Sequence, residues 1–418
     1  MLMSRMLKQM KPSSRVRIVI VGAGMAGSKL ANDLLQTPNT HHSITLIGEE
    51  SQVGYNRIML SSLLANDISD AEMPLVSTDK MRVGGVHIIS GDPVIGMDLE
   101  TKELRLASGQ SVTYDQLIFA TGSRAKMLPI EGASAPNVMG FRTWQDVDVM
   151  TALKGCQSVC VIGGGLLGLE AAVGLVKRGH KVTVFHRSNW LLNRQLDAES
   201  AQLLQNRLEE MGVQFQLGES PSAFLQSKTG LVTHVVCQSG EHMPVDLVVM
   251  AAGISPEVRL AKEAGIDVNQ AIVVDEKMKT SHPDIFALGE CCEFEQQTFG
   301  LVAPIWTQIK VLITVLSGED CCFVIEPTPT KLKVSGVNLF SVGKIQPSQD
   351  DDCIFFKDVA ANHYRKLVVN DGLLVGVILY GNVADGSWYF QLIQNKTNVS
   401  DMLELLVFGE AYCRPKVA

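Results

Sequence analysis

The sequence predicts an α/β protein: two similar parallel-sheet domains followed by a small α+β domain. Three observations predict it. A strand–glycine turn–helix–strand pattern occurs twice, each copy is closed by an apolar strand ending in a small-residue turn, and short alternating strands replace this pattern beyond Pro327.

The chain has 418 residues, enough for two or three domains, because single cores stop growing near ~250 residues. At 46% hydrophobic and 19% charged residues, with 15 prolines, it has the composition of an ordered globular chain. A net charge of -8 argues against nucleic-acid binding, which calls for a concentrated basic face. The segment Met1–Arg15 carries Arg5, Lys8, Lys11 and Arg15 without the apolar run of a secretory signal. No stretch approaches the ~18 uninterrupted apolar residues of a membrane span. Nine scattered cysteines, an odd number, fit reduced thiols, so a cytoplasmic protein is expected.

The first unit runs from Arg17-Ile-Val-Ile-Val-Gly22-Ala-Gly24-Met-Ala-Gly27 through a helical stretch to the strand Ile44-Thr-Leu-Ile47. Gly22 permits a tight turn, Gly24 lets the backbone approach a pyrophosphate, and Gly27 lets helix pack closely on strand. The helix that follows offers free N–H groups and a positive dipole end to phosphate. Glu49, 22 residues beyond Gly27 (49 − 27), can accept hydrogen bonds from the adenosine ribose. By these features the unit suits FAD or NAD equally, and Tyr114 to Gly122, with Thr121, closes it.

The second unit repeats the design in Ser158-Val-Cys-Val-Ile-Gly163-Gly-Gly165-Leu-Leu-Gly168, a helix over 169–177 and the strand Lys181 to Phe185, and Val245 to Gly253 closes it. Its acidic position is His186, followed by Arg187. A carboxylate there would favour the 2′-hydroxyl of NADH, whereas a cationic pair accepts the 2′-phosphate of NADPH. NADPH is therefore the expected coenzyme, with NADH or dual use left open. The chain then returns to the first domain near Thr280 to Glu290, and beyond Pro327 Asn370-Asp-Gly372 sets a hairpin turn. The boundaries expected are 1–125 with 255–326 for the first domain, 126–254 for the second, and 327–418 for the third. The first two are three-layer Rossmann-like dinucleotide-binding domains.

These motifs resemble the FAD-dependent pyridine nucleotide oxidoreductases of the glutathione-reductase type. Gly22, Gly24, Gly27, Ala120-Thr-Gly122, Gly163, Gly165, Gly168 with Glu170, and Gly289-Glu290 carry that resemblance. Within that family the chain is similar to the flavin region of assimilatory nitrite reductase large subunits and of nitrate reductase electron-transfer subunits. The motifs carrying this are Tyr55-Asn-Arg57 to Ser62, Arg194-Gln-Leu-Asp197, Gly289-Glu-Cys-Cys, Gly300 to Pro304, and Leu379-Tyr-Gly381 with Asp385 to Gln391. The resemblance implies that Glu49 binds the FAD ribose, that Val94 meets the adenine through its backbone, and that Arg57 lies by the flavin. It implies that Arg142 reaches the FAD from the linker and that Glu290, where most relatives carry Asp, contacts the ribityl chain. Val302 to Gln308 would open a helix facing the isoalloxazine ring, and Glu170 would stand beside the nicotinamide. Glu170 and Arg57 are thus the candidate catalytic residues.

Two departures stand out. Ser62 occupies a position where ferredoxin-reductase-like members have Lys, and the chain ends at Ala418 without the iron–sulfur and sirohaem region of nitrite reductase. Between Glu49 and Gln157 the sole cysteine is Cys156, which supports neither a disulfide-reducing nor a peroxide-reducing branch. The electrons are therefore expected to leave for a separate acceptor: a nitrate or nitrite reductase, or a ferredoxin or rubredoxin type of protein. A non-enzymatic redox sensor, an assembly subunit and a homodimer stay open as alternatives.

Cys156/Cys160, Cys291/Cys292 and Cys321/Cys322 lack metal-site spacing, and His41, His42 and His363 have no ligand partners at useful separation, so no metal is expected. Cys291 and Cys292 read as buried thiols, with a redox role as the alternative. Asp350 to Asp352 reads as a solvated turn, with repulsion or orientation of a charged partner as the alternative.

Overall fold

The computed structural model describes residues 15–38, 42–334 and 336–413. The amino-terminal segment and His41 lie outside the described residues. The chain divides into two units: one holds 15–56, 74–123 and 256–324, and the other holds 57–73, 124–255 and 325–413.

Val16–Val21 sits near the middle of the first unit's five-stranded parallel sheet, where its apolar run is buried on both faces. It pairs with His42–Gly48 on one side and Gln116–Phe119 on the other, and His87–Ser90 and Ile285–Ala287 form the edges. A smaller antiparallel sheet, Val94–Asp98, Glu103–Leu106 and Ser111–Thr113, follows the edge strand His87–Ser90.

The second unit repeats the arrangement. Ser158–Ile162 lies between Lys181–His186 and Leu247–Met250, with Val213–Leu217 and Val138–Gly140 outside them, all parallel. Each central strand is followed by a helix of 12 residues, Met25–Gln36 in one case and Leu166–Lys177 in the other. The second helix begins three residues before its apolar pattern suggests, because Gly165 itself occupies the N-cap.

The same unit contains a five-stranded antiparallel sheet, in the order Thr330–Val334, Val337–Gly343, Leu373–Tyr380, His363–Asn370, Asp352–Asp358. The helix Gly386–Gln394 covers it through Tyr389 and Leu392, over Phe340, Leu367, Val377 and Leu379. Asn370 pairs with Leu373 across Asp371 and Gly372, both at positive φ (48° and 71°), which is the hairpin the sequence predicts.

Asp351 departs from the solvated turn expected of it. Its carboxylate is fully covered and meets Lys344 Nζ at 2.5 Å, the Ser348 N–H at 2.6 Å and Asn370 Nδ2 at 2.9 Å. The Lys344 contact holds it well below the usual carboxylate range.

Candidate functional site

Both glycine turns contain the same two close approaches. A Cβ on Gly22 would lie 2.1 Å from the Ala120 carbonyl oxygen, and one on Gly163 would lie 2.3 Å from that of Ala251. A Cβ on Gly27 or Gly168 would fall 1.9 Å from the oxygen of Gly22 or Gly163. Gly22 and Gly163 also adopt φ of 114° and 125°, where a side chain is strained. These positions tolerate glycine alone, and in exchange the helix starts immediately at the strand end.

Gly24 and Gly165 are the N-caps of the two helices and supply no side-chain cap, so the first-turn N–H groups are left for an anion. The space over Gly165 is open to 4 Å. Such a turn fits a pyrophosphate, which needs backbone donors and no intervening side chain.

The other residues expected to serve a dinucleotide at the first turn lie in the same unit. Glu49 is exposed directly beyond the strand His42–Gly48, and Val94 opens its strand with a buried side chain. Thr121 donates to the Glu257 carbonyl at 2.7 Å, and Gly122 takes φ of 66°. Glu290 accepts from the Ser123 hydroxyl at 2.8 Å, and Gly289 N–H donates to Gln308 Oε1 at 2.8 Å. Gln308 is fully buried on the helix Val302–Leu316, which opens after Leu301 without a side-chain cap. The N–H groups of Val302 and Ala303 are therefore available as well, Pro304 having none, and the space over Gly300 is open. Gln308 is the member of this group whose contact the sequence does not reveal: a buried amide nineteen residues from Gly289 has no local signal.

In the second unit, His186 corrects an expectation. Its Nδ1 accepts from the Gly164 N–H at 3.1 Å, and burial pushes its pKa down. The ring is a neutral acceptor lying over the glycine turn, so the pair expected to be doubly cationic carries one positive charge, that of exposed Arg187. Gly253 closes the unit at φ of 110° with open space around it.

Glu170 lies on the second turn of its helix, half-buried. Burial pushes its carboxyl up to about 7, against a hydrogen bond from Ser61 that favours the ionised form. Ser61 comes from the short helix Leu60–Leu64, which belongs to this unit, as does Arg57. Arg57 Nη1 donates to the Arg142 carbonyl at 3.3 Å, and Arg142 N–H donates to Asp146 Oδ2 at 2.8 Å.

Cys291 and Cys292 are fully buried and burial raises both thiols, which leaves them protonated and inert. Cys156, Cys322 and Cys353 are exposed. No helix among the described residues is long and apolar enough to cross a membrane.

The chain is 37% identical over 393 residues to the nitrite reductase [NAD(P)H] of Bacillus subtilis (strain 168), which covers 94% of this chain and 49% of that one. It is 38% identical to the assimilatory nitrate reductase electron transfer subunit of the same organism, over 88% of this chain and 48% of that one. The chain thus spans about half the length of these relatives. It is also 31% identical to the rubredoxin-NAD(+) reductase of Pseudomonas putida, over 79% of this chain and 87% of that one. Among solved structures, the covalent putidaredoxin reductase–putidaredoxin complex matches with a TM-score of 0.81 at 25% identity, over 92% of this chain and 94% of that one. Residues 329–397 match the rubredoxin NAD+ reductase C-terminal domain. With residues 16–309 matching its model from the first central strand to Ile309, beyond Gln308, the chain belongs to the pyridine nucleotide-disulphide oxidoreductase family.

Proposed function

We propose that this chain takes hydride from NADPH or NADH onto a bound FAD and passes the electrons to a separate redox protein, in nitrate or nitrite assimilation. The observation that carries the reading is the paired glycine turn: in both units a Cβ added at the first or third glycine would fall within 2.5 Å of a backbone oxygen. FAD, when bound, accepts two electrons together and can release them singly. The chain's own residues bind and orient.

The turn at Gly22, Gly24 and Gly27 would hold the FAD pyrophosphate. Glu49 would hold the ribose and Glu290 the ribityl chain, and the open first turn at Val302 would serve the ring. Gly163, Gly165 and Gly168 would hold the coenzyme pyrophosphate, and Arg187 the 2′-phosphate. A single guanidinium beside a neutral imidazole supports use of both coenzymes, with NADPH favoured. Glu170 and Arg57 would position the nicotinamide and flavin. We assign 1–125 with 255–326 to flavin, 126–254 to coenzyme and 327–418 to a third domain, and we place the protein in the cytoplasm.

The match of residues 329–397 favours a second reading, service to a rubredoxin- or ferredoxin-type acceptor. Anaerobic transfer from the NADPH-reduced protein to a purified nitrite-reducing subunit, and to a rubredoxin, tests both. Rapid oxidation by the nitrite-reducing subunit supports the first reading. Rapid oxidation by rubredoxin alone replaces it with the second.

A further inference from the structure

The loop between His186 and the helix Ala198–Glu210 is folded back onto the glycine turn. Leu192 N–H donates to the Gly164 carbonyl at 3.0 Å, and Trp190 Nε1 donates to that of Leu196 at 3.2 Å. Leu191, Leu192 and Leu196 are buried, and Leu192 takes φ of 49°, a conformation a leucine adopts only when its surroundings impose it.

Asp197 closes the loop. Its Oδ1 caps the following helix, accepting from Ser200 N–H at 3.0 Å and Ser200 Oγ at 2.6 Å. Capping needs no more than that oxygen, yet Oδ2 accepts from Tyr364 Oη at 2.7 Å and Lys366 Nζ at 3.0 Å. These donors lie on one face of the strand His363–Asn370, two residues apart, and come from 167 and 169 positions away in sequence. The Lys366–Asp197 pair is 13% and 14% exposed, and Lys357 adds a contact to Glu199 at 2.8 Å.

We propose that Tyr364 and Lys366 are positioning residues for the coenzyme: by fixing Asp197 they hold the loop that carries Arg187 and Arg194, so the carboxy-terminal sheet sets coenzyme affinity. The inference rests on the reading of Arg187 as the coenzyme's adenosine-phosphate partner. The Leu192 N–H on the Gly164 carbonyl and buried Leu196 hold the middle of the loop, and the Asp197 contacts fix its far end. The entropy of ordering the loop is then spent on folding and not on binding.

The test uses the full-length, flavin-loaded protein with an artificial dye as acceptor, comparing Tyr364→Phe, Lys366→Met, Lys366→Arg and Arg187→Ala. The expected result is a KM for NADPH raised about 3- to 10-fold in Tyr364→Phe and Lys366→Met, with kcat and flavin content held within about twofold and Lys366→Arg restoring most of the loss. Added to Lys366→Met, Arg187→Ala should cost less than it does alone, because both act on one loop. If Arg187→Ala raises KM while Tyr364→Phe and Lys366→Met leave it within about twofold, the brace is refuted and the coenzyme site stands. An unchanged KM in Arg187→Ala removes the site reading and the brace with it. A fall in kcat and flavin content with KM constant shows a merely structural contact and also overturns the proposal. Tyr364→Phe removes one oxygen atom and carries the test if Lys366→Met fails to fold.

Discussion

Glu170→Gln should stabilise the protein at pH 8 and leave it unchanged near pH 4. Glu170 is held on its helix with its carboxyl raised from 4.5 to about 7 by burial. At low pH the side chain is neutral in both the folded and unfolded chain, so it contributes nothing. As pH rises through 4.5 the unfolded chain loses the proton first; the folded chain then binds more protons than the unfolded one, and stability falls with pH. The loss is complete above about 7. At about 1.4 kcal/mol for each tenfold in equilibrium constant, the rise from 4.5 to about 7 is worth about 3 kcal/mol. Glutamine keeps the shape and the acceptor for Ser61 but cannot ionise, so it should recover most of that sum at pH 8. Urea unfolding followed by tryptophan fluorescence reads the effect, because Trp144, Trp190 and Trp388 all belong to the unit holding Glu170. The midpoint should rise in the variant at pH 8 and converge with the parent near pH 4. An equal difference at both pH values would refute the reasoning, since it would mean the carboxyl titrates at its ordinary value.

Gly27→Ala should yield protein without flavin or no folded protein at all, because the added carbon would sit 1.9 Å from the Gly22 oxygen; flavin absorbance per chain checks this. Arg187→Ala should raise KM for NADPH by about tenfold and barely alter that for NADH, as expected for one charged contact, and steady-state rates with both coenzymes measure it. A thiol-alkylating reagent followed by peptide mass spectrometry should label Cys156, Cys322 and Cys353 in the native protein and reach Cys160, Cys291 and Cys292 only after unfolding, because the latter are fully buried with raised thiol pKa.

The two glycine turns were legible because spacing alone dictates the geometry: three glycines after an apolar run leave little else that Gly22 or Gly163 can do. The Asp371-Gly372 hairpin was legible for the same reason, since both residues favour positive φ. The surroundings of charged side chains were not. His186 reads as a cation beside Arg187, yet burial and the Gly164 N–H make it a neutral acceptor. Asp351 reads as solvated among three aspartates, yet Lys344, Ser348 and Asn370 enclose it. Desolvation depends on what the rest of the chain brings near, and a local window holds no record of that. Distance in sequence hid other contacts: Ser61 and Glu170, Gly289 and Gln308, Asp197 and Tyr364 are brought together by topology, and no periodicity announces them.

The proposed function requires hydride to pass from a nicotinamide coenzyme to a flavin bound by the same chain. Anaerobic mixing of the purified yellow protein with NADPH in a stopped-flow spectrometer tests it directly. The account predicts loss of the flavin's visible absorbance within seconds, with one NADPH consumed per bound FAD as expected for hydride transfer. Flavin that keeps its colour under excess NADPH and NADH would contradict it.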